Sequence, residues 1–237
     1  FLNNEFKNSE NLYGSAYDAD SEGIEGKYYV WSYKELRNIL GDELKYLENI
    51  YDISEGGNFE GNNILVEKKL ISEENQNKIN QIKNKLIDVR KKRIKPFFDD
   101  KAQTDLNSYI LQVLLKTSVN LNDEQLKNKT IETIEVLNQK LSQKIFHCYK
   151  NKEIEAFLED YVYYALLMIT LYEVNADKNS LDKSIRIMND TWELFFNKET
   201  RLFQKNIIKD NDLFASPLDL NDSNIPNGNS VYLLISN

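Results

Sequence analysis

Cysteine and histidine are each used once, at Cys148 and His147. A single cysteine excludes an internal disulfide, a multi-cysteine zinc site and a dithiol redox motif within the chain. A single histidine excludes a multi-histidine metal centre. The longest apolar run, about 162–171, is too short to span a bilayer, and acidic residues flank it at Glu159, Asp160 and Glu173. There is no excess of positive charge: the net charge is -8, which argues against a nucleic-acid partner. Glycine is nearly confined to the first quarter, with seven of eight at or before position 61 and the last at Gly228. The chain opens at Phe1 without a basic-then-apolar leader and closes in an apolar run, so both ends read as cuts in a longer cytoplasmic protein.

What is present is an ordinary globular balance, 41% hydrophobic and 29% charged, which is enough to bury a core. Residues 1–71 read as a loop- and turn-rich part. Lys27–Trp31, aromatic and β-branched after a glycine, predicts a short strand. Ser32 with Glu35 three residues on predicts a helix N-cap, and Gly41 its end. Residues 72–237 read as helices. The first starts after Ser72 and runs into the basic stretch 90–95, which reads as a solvated helix end. The next spans 104–119. Ile131, Ile134, Leu137, Leu141 and Ile145 mark a stripe over 123–145, and Ile185, Met188, Trp192, Phe195 and Phe196 another over 181–196. The helix at 157–174 is apolar nearly all round and so must be buried on every side.

Inner (104–119, 157–174) and outer (123–145, 181–196) helices therefore alternate. The two inner starts lie about 53 residues apart, which suggests a repeat of helical hairpins, and a third inner helix begins near Asn229 after a longer insertion. The fold class expected is mainly α: helical hairpins forming part of an (α/α)6 toroid in one domain, with a small strand and loop region near the N-terminus. The acidic clusters fall at the start of each inner helix. They are Asp99, Asp100 and Lys101, then Glu159 and Asp160 beside Tyr161, then Asp219 and Asp222 before Asn229. Parallel inner helices would bring these clusters to one mouth, with Asn107 and Asn229 donating hydrogen bonds there. A helix N-terminus also attracts carboxylates as simple caps, and that competes with any functional role. Asp18, Asp20 and Glu22 before Gly23 match the start of a calcium loop, but Tyr29 stands at the twelfth position, so a hydrogen-bonded acidic turn is the stronger reading. His147 follows an outer-helix stripe, which places it badly for a base. No metal and no cofactor is expected.

Several of these segments, in order, resemble the spermatogenesis-associated protein 20 family, also described as thioredoxin-domain-containing proteins. They are Asp18–Gly23, Glu25–Trp31, Glu55–Gly61, Asp99–Lys101, Phe157–Tyr161 and Pro226–Ser230. The family's Thr-Ser-Trp-Asn-Gly appears here as Thr104–Ser108 without its tryptophan and glycine. The resemblance implies a toroid similar to six-hairpin glycosidases and sugar epimerases, attached in the family to a thioredoxin-like domain that this chain lacks. Remaining parts of that toroid would be the chain's own partners. Two functions follow as expectations. One is binding or turnover of a carbohydrate or other small polar ligand, with Asp100, Glu159 and Asp160 as acid–base candidates and Asp18, Asp20, Glu22, Asp99, Lys101, Asn107, Tyr161, Asp219, Asp222 and Asn229 around them. The other is a non-enzymatic binding toroid. Neither the reaction nor the substrate is fixed by these residues.

Overall fold

The computed structural model describes residues 1–150, 152–207 and 218–236. Among them the chain is mainly α, with nine helices and several small sheets. It divides into two compact units, Tyr17–Asp99 and the combination of Phe1–Ala16 with Asp100–Asn237. This division by packing differs from the compositional one at residue 71: the long helix that follows Ser72 belongs with the turn-rich part.

The Tyr17–Asp99 unit holds three helices, α2 (Tyr33–Leu40), α3 (Glu43–Glu48) and α4 (Glu73–Arg90). They close on Leu36, Leu40, Leu44, Leu47, Ile79, Ile82 and Leu86, all buried with Trp31. Ser32 caps α2 by accepting the Glu35 N–H at 3.2 Å, and Gly41 ends it. The reciprocal half of a capping box is replaced, because the Glu35 carboxylate pairs with Arg93 at 2.8 Å. The strand expected over Lys27–Trp31 is a turn: the N–H groups of Tyr29 and Val30 both donate to the Gly26 carbonyl, and only Trp31 pairs, with Asn63. The reason is Arg93, whose guanidinium donates to the carbonyls of Lys27, Tyr28 and Val30 and lies 4.0 Å from the Trp31 ring centre. These carbonyls have no need of a neighbouring strand. Arg93 is thus an internal brace within the basic stretch, where a solvated helix end was expected. Asp20–Ser21 and Ile24–Glu25 form a hairpin turning through Glu22 and Gly23, both in the left-handed region. At Gly57 a side chain is excluded outright, since a Cβ would stand 2.3 Å from the Asn62 carbonyl oxygen.

The second unit is built on helices α5 (Thr104–Asn120), α6 (Glu124–Lys140), α7 (Leu158–Asn175), α8 (Lys178–Phe195) and α9 (Gly228–Ser236), after a short α1 (Leu2–Glu5). Helix α7 buries eleven residues and packs against α5, α8 and α9, while α5 also packs against α6. The all-round apolar reading of 157–174 therefore describes the centre of this core. Two expectations needed correction. Helix α6 stops at Lys140, and Ile145 leads into an antiparallel sheet of Ala102–Gln103, Phe146–Lys150 and Lys152–Glu155. The buried stripe of α8 runs through Ser180, Ser184, Ile187, Thr191 and Phe195, leaving Ile185 and Trp192 about half exposed. Small hydroxyl residues let α8 approach α7 closely, and Ser184 donates its hydroxyl proton to the Ala165 carbonyl at 3.0 Å.

Candidate functional site

The first residues of α5, α7 and α9 lie together. The Asp105 N–H at the start of α5 donates to Asp160 Oδ1 in the first turn of α7 at 3.0 Å. Gly228, which opens α9, abuts Leu158 and Glu159. A cleft of about 270 Å3 opens at this place, lined by Asp105, His147, Phe157, Glu159, Lys205, Asp219 and the 221–227 segment. Free N–H groups at helix starts favour acidic and polar ligands or side chains here.

Asp160 is the knot of the site. It is completely buried, with Oδ1 accepting the Asp105 N–H and Oδ2 accepting the Phe157 N–H at 2.8 Å. His147 Nδ1 lies 3.1 Å from both carboxylate oxygens. The far ring nitrogen, Nε2, meets the Gln103 side-chain amide at 2.9 Å. With His147 neutral, Nδ1–H donates to Asp160 and the Gln103 N–H donates to Nε2. When the ring gains its second proton, Gln103 must turn its amide oxygen to accept it. The hydrogen bond to Asp160 raises the His147 pKa above its ordinary value, burial opposing it.

Two cleft carboxyl groups are driven toward their neutral forms. Burial, and then the charge of Asp160, raises the Asp105 pKa. Burial raises that of Glu159, with Lys205 acting against it. One carboxyl oxygen of Glu159, Oε2, is buried without a hydrogen-bond partner, as expected for a carboxylic acid more than for an anion. Asp105, His147 and Asp160 also bring one ligand-type atom each within 4.8 Å of one another, the spacing of a metal-binding group. Both oxygens of Asp160 are already engaged by backbone N–H groups and by His147, and the Asp105 carboxyl accepts the Leu106 N–H at 2.7 Å.

Of the sequence-predicted residues, Glu159, Asp160 and Asp219 are brought together. Asp222 holds the cleft wall by accepting the backbone and side-chain N–H groups of Asn227. Asn229 is turned to the Phe203 backbone, donating to its carbonyl and accepting its N–H. Asn107 does the same for Tyr13. Both amides are structural ties. Tyr161 is buried edge-on against Phe195. Asp100 and Lys101 lie outside the cleft lining: the Asp100 carbonyl accepts from Asn8, and the Lys101 carbonyl from Ser15. Asp18, Asp20, Glu22 and Asp99 belong to the Tyr17–Asp99 unit. There Asp18 accepts the Asp20 N–H and Glu22 pairs with Lys27.

Sequence reasoning missed Asp105, Gln103, His147 and Lys205. The signal for His147 was its place between the apolar residues Phe146 and Cys148, one residue apart from each in the alternation of a strand. In a strand, His147 points away from Phe146 and Cys148, toward the start of α7.

Fold and site together describe a mainly helical protein with a polar, partly acidic cleft at the shared N-terminal ends of three helices. No family model matches the chain. It is similar to Spermatogenesis-associated protein 20 of Homo sapiens, at 24% identity over 235 aligned positions, covering 78% of this chain and 30% of the relative. The chain thus spans about a third of the length of the relative it matches. No helix among the described residues is long and apolar enough to cross a membrane.

Proposed function

We propose that this chain is part of an α/α toroid of the spermatogenesis-associated protein 20 type, and that its cleft takes a carbohydrate or similarly hydroxyl-rich ligand. The observation that carries the reading is the gathering of Asp105, Glu159, Asp219 and Lys205 on one cleft of about 270 Å3. That is room for one or two small rings, with acceptors and a donor on the wall. Alternating inner and outer helices, the common N-terminal mouth of α5, α7 and α9, and the similarity to the human protein support the toroid. Burial favours the neutral form of both Asp105 and Glu159, and Glu159 is the better proton donor because the Asp105 carboxyl already accepts the Leu106 N–H while Glu159 Oε2 has no hydrogen-bond partner. Asp219, on the same cleft, is the carboxylate to pair with it in a hydrolytic or proton-transfer reaction. Asp100 is not proposed, because it lies outside the lining. Asp160 is not proposed as a group that meets ligand, because it is sealed from solvent and fully occupied.

A second reading, binding without turnover, is favoured by the mutual engagement of His147, Asp160 and Gln103, which leaves the cleft without a free imidazole base. One experiment separates the two. A panel of neutral mono- and disaccharides is titrated against the protein and against Glu159→Gln, with product formation followed in parallel. Binding with turnover that Glu159→Gln abolishes supports the enzymatic reading. Binding with no turnover supports the second. No binding of any sugar by the wild type overturns both.

A further inference from the structure

We infer that Gly228 is a positioning residue for Glu159, fixing where its carboxyl sits in the cleft, an inference that rests on the reading of Glu159 as the cleft's acid. Gly228 is not a turn glycine: its backbone is outside the left-handed region, so any residue could adopt its conformation. What requires glycine there is space. A Cβ on residue 228 would stand 2.7 Å from both Cγ and Cδ2 of Leu158 and 3.2 Å from Glu159 Oε1. The volume that a side chain would fill is used by the first turn of α7.

The backbone around Gly228 cannot retreat to admit a methyl group. Asn227 accepts the Ser230 N–H and donates its amide to Asp222 Oδ1 at 2.8 Å. Asn229 is bonded to the Phe203 N–H and carbonyl at 2.9 and 3.0 Å. The Tyr163 hydroxyl donates to the Pro226 carbonyl at 2.5 Å. Leu158 is fully enclosed in the core and has little room to move. Glu159 is the more loosely held neighbour, since its Oε2 has no hydrogen-bond partner and its carboxyl is held by its own backbone N–H and the charge of Lys205. A methyl group at 228 therefore pushes against Leu158, which it would meet at 2.7 Å, and makes the adjoining Glu159 carboxyl give by a few tenths of an ångström.

The test follows Glu159 directly. Carboxyl carbon NMR titration of glutamate-labelled protein, with the Glu159 signal assigned by Glu159→Gln, is run on wild type, Gly228→Ala and Leu158→Ala/Gly228→Ala. Sugar affinity is measured on the same samples. Gly228→Ala should shift the Glu159 titration midpoint and weaken sugar binding about threefold or more, since the carboxyl gives by a few tenths of an ångström and a full 1 Å of misplacement can cost about a hundredfold. Removing the leucine side chain should bring both back toward wild type, which a general loss of stability would not do. An unchanged Glu159 midpoint in folded Gly228→Ala overturns the inference. If the single variant does not fold, a double variant that folds with a wild-type midpoint supports the inference, and one with a displaced midpoint overturns it. A wild type that binds no sugar while Gly228→Ala still moves the Glu159 midpoint overturns the ligand reading and leaves the positioning role intact.

Discussion

Each compact unit is organised around one charged side chain that gathers main-chain groups of opposite polarity. In the Tyr17–Asp99 unit it is Arg93, which donates to three carbonyls of one turn, pairs with Glu35 and stacks on Trp31. In the other it is Asp160, which accepts N–H groups from the starts of α5 and α7 and holds His147 from a strand. The difference lies in burial and reach. Arg93 keeps 19% of its side chain exposed and secures one turn. Asp160 has no exposure and joins three elements that supply the cleft wall. A charge that is sealed must have all of its partners, so losing it, or one of them, is the costlier event.

The largest expected effect tests this ranking. Asp160→Ala leaves two N–H groups and the imidazole without their acceptor and should cost about 3–5 kcal/mol. Arg93→Ala should cost less, roughly 2 kcal/mol, because water can reach part of the vacated turn. The two tryptophans allow the units to be followed separately, Trp31 in one and Trp192 in the other. Urea unfolding of Trp31→Phe and Trp192→Phe backgrounds gives each value. Equal losses, or a larger loss for Arg93→Ala, would break the contrast.

A smaller effect follows from pH. The His147 pKa is raised in the folded protein by Asp160, so its contribution is fully present below the ordinary value of 6.5 and is lost as pH rises through the raised folded value. Stability measured by urea between pH 5 and 9 should therefore carry a falling component through that window, and His147→Gln should remove it. Because the chain has one histidine, its ring proton signal titrates without overlap and gives the midpoint directly. A midpoint at or below 6.5 would mean that the bond to Asp160 does not favour the imidazolium.

The two knots also show what was legible in the sequence. Local, periodic features were: the enclosed helix α7 from its unbroken apolar surface, the starts of α5 and α9 from their acidic and amide flanks, and the Ser32 cap from its spacing to Glu35. Of the acidic clusters expected at one mouth, Glu159 and Asp219 line the cleft, whereas Asp100 and Lys101 lie outside its lining. Long-range features were not legible. His147 and Asp160 stand on different elements, and nothing in their order along the chain marks them as partners. The buried face of α8 was missed because close helix contact there uses Ser180, Ser184 and Thr191, which a count of apolar residues passes over.

The smallest expected effect belongs to the feature that was easiest to read. Ser32→Ala removes a hydrogen bond of 3.2 Å to the Glu35 N–H and should cost about 0.5–1 kcal/mol, at the low end for a cap. The reason is that Glu35 does not complete the capping box; its carboxylate is drawn to Arg93. Removing Arg93 frees Glu35 to reach back toward the Ser32 N–H, and a closed box holds the serine more firmly. Ser32→Ala should therefore cost more in an Arg93→Ala background than in the wild type, by roughly 0.5 kcal/mol, the scale of coupling between residues sharing a partner. A double-mutant cycle followed by Trp31 fluorescence measures this term. Strict additivity would mean that Arg93 and the cap do not compete for Glu35, and that the knot in this unit stops at the turn it braces.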